Sequence, residues 1–132
     1  MSQPPAGSLA AAVERASALL ATDAAEAGRQ ARAILRAAPS DPRAQLILGS
    51  SLRRGGDMAG AKAVLVPLAA AFPRAALTQY ELGLVLCALG SEAQGVAALR
   101  NAVTLNRELP EAWRALGERL FAAGDLAGAE AA

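Results

Sequence analysis

A pattern that recurs every 34 residues runs through most of this chain. Four columns of small and apolar residues repeat at this spacing in three successive stretches of sequence. They are Leu48, Leu82 and Leu116; Gly49, Gly83 and Gly117; Leu52, Leu86 and Leu120; and Gly56, Gly90 and Gly124. A fixed period of about 20 to 50 residues is typical of an array of stacked structural repeats. Proteins of this architecture usually act through an extended surface and not through a catalytic pocket.

The composition favours helices over strands. Hydrophobic residues make up 54% of the 132 residues but aromatic residues only 3%, so alanine and leucine supply most of the apolar content. These side chains suit closely packed helices, whereas strands are rich in β-branched and aromatic residues. The sequence therefore predicts an all-α protein of one repeat domain.

The charged and reactive residues exclude several classes of function. The net charge is +1, and its 13 basic and 12 acidic residues are mixed along the chain, so no nucleic-acid partner is indicated. The absence of histidine excludes an imidazole base, a His-based triad and a His-ligated metal. Cys87 is the only cysteine and is interpreted as a small packing residue. We therefore expect no catalytic residue, no cofactor and no metal site.

The sequence has no evident targeting or membrane segment. Its N-terminal stretch has no basic region, and Glu14 and Arg15 interrupt the apolar residues, so it makes a poor signal peptide. The apolar run over residues 82–91 is shorter than the roughly 20 residues that a membrane-spanning helix needs. These features predict a cytoplasmic protein without a membrane partner.

Each 34-residue unit has the pattern of a helix, a turn and a second helix. Pro42 suits the first position of a helix, where its missing N–H is no loss. Gly56 ends that helix and Asp57 caps the next one. Ser8 is a suitable N-cap for the first helix, and residues 1–7, with two prolines and a glycine, are expected to be disordered.

The period divides the chain into three repeats and part of a fourth. Their predicted boundaries are residues 8–41, 42–75, 76–109 and 110–132, which together form one domain over residues 8–132. Seven helices and a partial eighth are expected, with breaks near residues 22, 40, 55, 74, 90, 108 and 124. An interior proline, Pro67, predicts a kink in the fourth helix, because proline loses a hydrogen bond and clashes with the preceding turn.

The repeat resembles the tetratricopeptide repeat (TPR). That family's signature begins W-x2-L-G-x2-Y and continues with an alanine, a bulky residue and a closing proline. The matching residues are Leu48, Gly49, Leu52, Ala61, Leu65 and Pro73 in the second repeat, Leu82, Gly83, Leu86, Leu99 and Ala102 in the third, and Trp113, Leu116, Gly117 and Leu120 in the fourth. The resemblance implies a TPR solenoid, a right-handed α-α superhelix, of three repeats plus a partial fourth.

The resemblance also implies how the signature residues are used. The glycine after the leucine would lie at a close helix crossing, and Trp113 would be a packing residue. The first repeat departs from the signature, because Glu14 and Arg15 occupy its Leu–Gly columns. Terminal repeats often diverge in this way, since one of their faces meets solvent.

In the TPR family the first helices of the repeats line a concave groove that binds peptides or partner proteins. The corresponding positions here are Arg43, Leu46, Ile47, Ser50, Arg53 and Arg54, then Leu77, Tyr80, Glu81, Leu84 and Cys87, and finally Glu111, Arg114, Glu118 and Phe121. Tyr80 and Arg53 are the predicted anchors, since tyrosine and arginine are common interface hot spots. The alternative is structural: Arg53 and Arg54 would be solvated cations at a helix end, and Tyr80 would pack the groove wall.

One TPR subgroup clamps the C-terminal carboxylate of a peptide with lysine, asparagine and arginine. The corresponding positions here are Leu46, Ser50, Glu81, Glu111 and Ala115. Three neutral and two acidic residues cannot hold a carboxylate, so the sequence excludes this clamp.

Three functions remain open. The first is a non-catalytic module that binds a protein or peptide partner in the groove. The second rests on a looser resemblance to the helical N-terminal region of bacterial proteins that join such repeats to a sulfotransferase domain, whose catalytic motifs would follow residue 132. The third is a self-associating scaffold, for which apolar surface around Trp113, Leu116 and Leu120 would be available.

Overall fold

The computed structural model describes residues 7–122 and residue 124, and these form seven helices. The helices are α1 (Leu9–Leu19), α2 (Ala24–Ala37), α3 (Pro42–Arg54), α4 (Met58–Ala71), α5 (Ala76–Ala88), α6 (Glu92–Leu105) and α7 (Pro110–Ala122). The described residues contain no strand. The predicted all-α helical-repeat fold is confirmed, while the predicted eighth helix and most of the N-terminal segment over residues 1–7 lie outside the described residues.

The helix boundaries repeat with the same period as the sequence. Helices α2, α4 and α6 begin at residues 24, 58 and 92 and have 14 residues each. Helices α3, α5 and α7 begin at residues 42, 76 and 110 and have 13 residues each. Helix α1 is shorter, with 11 residues. One helix pair therefore corresponds to one period of 34 residues, whereas the handedness of the array stays a prediction.

Similar turns end the first helix of successive repeats. Gly56, Gly90 and Gly124 have φ angles of 90°, 87° and 77°, a left-handed conformation that residues with a Cβ rarely adopt. The residue after Gly56 and the residue after Gly90 each donate their N–H to the carbonyl five positions earlier, at 2.8 and 2.9 Å. This closure is a Schellman motif, which explains why glycine recurs at this column.

Side chains cap the helix starts at two of the predicted positions. Ser8 Oγ accepts the N–H of Ala11 at 3.0 Å, and an Asp57 carboxylate oxygen accepts the N–H of Gly60 at 2.8 Å. Each bond satisfies one of the amide groups that a helix start leaves without an intrahelical partner. Ser91 also lies at an N-cap position, but its side chain makes no capping hydrogen bond.

The chain divides into two compact units, Met1–Leu68 and Ala69–Ala132. In the first unit, α1, α2 and α3 enclose a core of small and branched side chains. Its buried members are Val13, Ala16, Ala27, Ala31, Ile34, Ala44, Ile47 and Leu48. In the second unit, α6, α7 and the loop between them form a similar core. Its buried members are Leu99, Ala102 and Val103 of α6, Leu109 of the loop, and Ala112, Ala115 and Leu116 of α7.

The signature glycine lies at a close helix crossing in two of the three repeats. A Cβ built on Gly49 would lie 2.6 Å from Leu65 Cδ2 of α4, and one on Gly83 would lie 2.8 Å from Leu99 Cγ of α6. Both distances are shorter than a van der Waals contact, so a side chain there would push the helices apart. Gly117 differs, because no described atom lies within 4 Å of a Cβ built on it.

Candidate functional site

Three predicted groove residues of the first unit line one depression between α1 and α3. Arg43, Leu46 and Ile47 lie at i, i+3 and i+4 and therefore share one face of α3. Helix α1 supplies the opposite side with Val13, Glu14, Ser17 and Ala18. The depression is open to solvent, has a volume of about 580 Å³ and combines an apolar surface with one acidic and one basic residue.

The sequence analysis missed the α1 side of this depression. It assigned groove positions only to the second, third and fourth repeats, because the first departs from the TPR signature. The period contained the missing signal: Val13 lies 34 residues before Ile47 and occupies the corresponding position of α1. The helix pattern of the first repeat therefore persists even where its signature residues have changed.

Arg43 is held at the edge of the depression by Asp41. One Asp41 oxygen caps α3 by accepting the N–H groups of Arg43 and Ala44 at 2.9 and 3.2 Å, and the other accepts Arg43 Nη2 at 3.1 Å. The Arg43 guanidinium lowers the pKa of Asp41, and Asp41 in turn raises the pKa of Arg43. The Asp41 side chain is 7% exposed and the Arg43 side chain 54%. The Arg43 guanidinium therefore faces solvent at the edge of the depression. Glu14 lines the same depression from α1.

The other predicted residues of α3 lie in different environments. Ser50 is buried, with 2% exposure, and its Oγ accepts a hydrogen bond from Arg54 Nε at 3.2 Å. It is therefore not accessible to a ligand as the groove assignment requires. Arg53 is half-buried and Arg54 is exposed, both in the last turn of the helix, where cations stabilise the dipole.

In the second unit, the predicted residues of α5 mainly pack. Tyr80 and Leu84 are partly buried against the core of the unit, as the structural alternative for Tyr80 predicted. Glu81 is 7% exposed and does not lie on an accessible surface, contrary to its groove assignment. Leu77 is 51% exposed, so the start of α5 carries the most accessible of these side chains.

All four predicted residues of α7 are exposed. Glu111, Arg114, Glu118 and Phe121 follow one another at intervals of three or four residues and share one face of the helix. Phe121 is 67% exposed. This face therefore presents acidic, basic and aromatic groups to solvent.

An ion pair that the sequence analysis missed joins α6 to α7. Arg119 Nη2 lies 3.1 Å from Glu92 Oε1, whereas Glu92 Oε2 and Arg119 Nε are buried without a hydrogen-bond partner among the described residues. The pair lies near Cys87, whose pKa is raised by burial and by the charge of Glu92, with Arg119 acting in the opposite direction. A raised pKa keeps the thiol protonated, which fits the predicted packing role of Cys87.

A second hydrogen bond with the 34-residue period involves Trp113. The side-chain N–H groups of Gln45, Gln79 and Trp113 each donate to the carbonyl six residues earlier, at 3.1, 3.4 and 3.0 Å. This bond ties the first helix of the second, third and fourth repeats to the preceding loop. Trp113 is 50% exposed, and its expected packing role stays a prediction because the residues that follow α7 lie outside the described part of the chain.

The described residues show no arrangement suited to metal chemistry. Among residues 7–122 and 124, no group of three or more cysteine, aspartate and glutamate side chains could hold a metal ion. In this same part of the chain, none of the helices combines the length and apolarity required to span a membrane.

Several solved structures share this fold. An O-GlcNAc transferase mutant from Thermobaculum terrenum superposes with a TM-score of 0.81 and 26% identity, over 91% of this chain and 23% of that one. TTC0263, a thermophilic TPR protein of Thermus thermophilus, gives 0.79 and 23%, over 95% and 70% of the two chains. The first TPR of Spaghetti (RPAP3), bound to the HSP90 peptide SRMEEVD, gives 0.77 and 15%, over 94% and 99%.

These likenesses show that the chain has the helical-repeat fold of TPR proteins. The chain spans only 23% of the transferase chain, so the likeness concerns one part of that enzyme. No protein-family model matches the sequence, and a comparison with curated proteins gives no match.

Proposed function

We propose that this chain is a TPR protein and a non-catalytic interaction module, which binds a peptide or partner segment against the first helices of its repeats. The observation that carries this proposal is the open depression between α1 and α3, which the predicted groove residues Arg43, Leu46 and Ile47 line. It is supported by the TPR neighbour solved with a bound peptide, because the fold is shared over nearly the whole of both chains.

The chemistry of the depression indicates the kind of segment it fits. Leu46, which is partly buried, offers apolar surface for an apolar side chain of the ligand, and the buried Val13 and Ile47 complete the apolar lining. Arg43 and Glu14, both exposed, would meet an acidic and a basic group that flank this anchor. Such charges at the edge of a site speed association and select the ligand's orientation more than they add affinity, and their effect weakens as salt is added.

The ligand we propose is an internal segment and not a free C-terminus. Of the five positions that correspond to the carboxylate clamp, Ser50, Glu81 and Ala115 are buried, with 2%, 7% and 6% exposure. The other two, Leu46 and Glu111, bring no positive charge. We therefore expect that SRMEEVD, the peptide bound by the solved neighbour, does not bind here.

The test compares a variant of the depression with a variant of the exposed surface of α2. Ligands are selected from a random-peptide library and titrated by fluorescence anisotropy against Leu46→Lys/Arg43→Glu, a double variant of the depression. The control is Arg36→Glu, which makes the same arginine-to-glutamate change on the exposed surface of α2. We expect at least a tenfold loss in the double variant and little change in the control, with circular dichroism showing that both remain folded. Unchanged binding in the double variant would overturn the proposal.

The hypothesis of a larger parent enzyme has one supporting observation. The chain resembles 23% of a transferase chain, as repeats attached to a catalytic domain would. None of the structures described above is a sulfotransferase, so a sulfotransferase parent stays a prediction, as does the cytoplasmic location. Under this hypothesis the depression between α1 and α3 would still bind a protein segment, and the chain would still contribute no catalytic residue.

A further inference from the structure

The solvent-facing side of α2 carries a row of arginines. Arg29, Arg32 and Arg36 follow one another at intervals of three and four residues, so they share one side of the helix. All three are exposed, and they span about 10 Å of the helix axis, at a rise of about 1.5 Å per residue. We call these three residues the α2 arginine row.

Only the first arginine of the row has a partner. Arg29 Nε donates to Glu26 Oε1 at 2.7 Å, and Gln30 Nε2 donates to the other oxygen of the same carboxylate at 3.1 Å. The side chains of Arg32 and Arg36 make no hydrogen bond or ion pair with another described residue. Two guanidinium groups of the row are therefore available to an acidic ligand.

A depression lies beside the row, between α2, α3 and the turn that follows α3. Arg29 and Arg32 line it from α2, and Asp57 lines it from the turn. Ala25, which is exposed, and Leu52, which is partly buried, add accessible apolar surface. The depression is open to solvent and has a volume of about 260 Å³. This is less than the roughly 300 to 1,000 Å³ of sites that hold a small molecule, and it suits one side chain of a ligand.

Two small residues bring α2 and α3 close together at the depression. Gly28 and Ser51 both line it and are buried, and a Cβ built on Gly28 would meet Ser51 Oγ. Ser51 Oγ donates a hydrogen bond to the carbonyl of Ala24 at 2.6 Å, which joins the two helices. The positions one and two periods after Gly28 hold larger residues, Lys62 and Val96. The small residues therefore belong to this repeat and are not required by the period.

The period does not require the arginine row either. The residues 34 positions after its three members are also exposed, but they are apolar: Ala63, Val66 and Ala70. An exposed position of this column therefore needs no cation for the fold to form. A row of cations next to a depression that accepts an apolar side chain is instead what an acidic ligand requires, because complementary charge steers the ligand and fixes its register.

We propose that the α2 arginine row and the depression beside it form a second interaction surface, which binds an acidic segment of a partner protein. Two carboxylates of the segment pair with Arg32 and Arg36, since such charge-assisted pairs are stronger than neutral hydrogen bonds. One apolar side chain of the segment enters the depression. The carboxylates stay on the α2 side, because Asp57, which caps α4, would repel them on the other.

An acidic protein segment fits this surface better than a nucleic acid does. Neither α2 nor the lining of the depression contains an aromatic residue on which a base could stack. The surface shares no lining residue with the depression between α1 and α3. The proposal therefore does not depend on the groove function, and the two can fail separately.

The test measures fluorescence anisotropy of a labelled peptide in which a central leucine is flanked by two glutamates on each side. We expect saturable binding that weakens as salt rises from about 50 to 500 mM, because the charge pairs are exposed. A peptide with lysine in place of each glutamate should not bind. A peptide with serine in place of leucine should bind at least threefold more weakly, because nothing apolar enters the depression.

Arg32→Glu tests the row directly. It reverses an exposed charge without altering the core, so the fold should persist and the acidic peptide should bind at least tenfold more weakly. Arg100→Glu is the matched control, because Arg100 lies two periods after Arg32, is exposed on α6 and gives the same change in net charge. Binding should not change in this control, and circular dichroism checks that both variants are folded.

Two variants already described separate this surface from the groove. Arg36→Glu should weaken binding of the acidic peptide, although a ligand of the depression between α1 and α3 should not respond to it. Leu46→Lys/Arg43→Glu should bind the acidic peptide as the original chain does. This crossed pattern distinguishes a failure of the present proposal from a failure of the groove function.

Four outcomes would overturn the proposal. The first is that the acidic peptide does not bind, or binds no better than its lysine or serine version. The second is an equal loss in Arg32→Glu and Arg100→Glu, which would indicate a general effect of net charge. The third is a loss in Leu46→Lys/Arg43→Glu but not in Arg32→Glu, which would place the peptide between α1 and α3. The fourth is tighter binding of a single-stranded oligonucleotide that Arg32→Glu abolishes, which would identify a phosphate site.

Discussion

Replacing Gly83 by alanine should destabilise this protein, although alanine is the better helix former. The added Cβ would lie 2.8 Å from Leu99 Cγ, 2.9 Å from Leu99 Cδ2 and 3.0 Å from the carbonyl oxygen of Gly95. Leu99 is completely buried, and the carbonyl belongs to the backbone of α6. Neither group can move away without a shift of α6 relative to α5, so the methyl group would strain the crossing.

Two opposing contributions determine the size of the effect. Alanine in place of glycine inside a helix favours folding by about 1 kcal/mol. Inserting a methyl group into a well-packed contact costs typically about 1 to 3 kcal/mol. Because the new Cβ meets backbone as well as a buried side chain, we expect a cost near the upper end of that range. The net change in the free energy of unfolding is then a loss of about 1 to 2 kcal/mol.

Gly117→Ala is the matched control, since it makes the same change at the same column of the repeat. No described atom lies within 4 Å of the new Cβ, so only the gain in helix propensity remains. Urea unfolding followed by circular dichroism, at a protein concentration low enough to avoid association, should show Gly117→Ala more stable than Gly83→Ala by about 2 to 3 kcal/mol. Equal effects of the two substitutions would refute the steric explanation.

A double-mutant cycle tests the contact itself. If Leu99 is the obstacle, then Leu99→Ala should cost less in the Gly83→Ala background than in the original chain, because removing the leucine relieves the strain. Additive effects would show that the added methyl group does not meet Leu99.

Three further predictions concern single residues. Asp41→Ala should cost about 0.5 to 2 kcal/mol at neutral pH through the lost N-cap. Because the fold lowers the pKa of Asp41, this stabilisation is complete above the unfolded pKa of about 3.9 and disappears as pH falls through the lower folded pKa, so the free energies of urea unfolding of the two proteins should converge in acid. Cys87 should react with iodoacetamide more slowly at pH 8 than it does in urea-unfolded chain, because burial raises its pKa, and equal rates would contradict this. Pro67→Ala should raise the melting midpoint by removing a proline from inside α4, which continues for four residues beyond it; a lower midpoint would show that the predicted kink is needed for packing.

The sequence by itself determined the helices and the turns that end them, because those features depend on local chemistry. Gly56 and Gly90 adopt positive φ angles that other residues avoid. Pro42 starts a helix because its ring fixes φ near the helical value and its missing N–H is not needed there. Because these residues have the same local effect in every repeat, the 34-residue period was sufficient to place all seven described helices.

The candidate site was only partly predictable, since a groove position read from the period does not reveal what surrounds it. Arg43, Leu46 and Ile47 do line one depression, although Ile47 is buried, as are Ser50 and Glu81. The residues of α1 that complete the depression were missed because the first repeat lacks the signature. Accessibility depends on the neighbouring helices, and the pattern of one helix does not specify them.

The glycine column shows where tertiary structure decided the outcome. Gly49 and Gly83 match the family signature, but only the structure shows that Leu65 and Leu99 are the side chains that pack against them. Trp113 likewise matches the family signature but is half-exposed. Packing depends on atoms brought from distant parts of the chain, so the sequence of one helix does not specify what covers each of its residues.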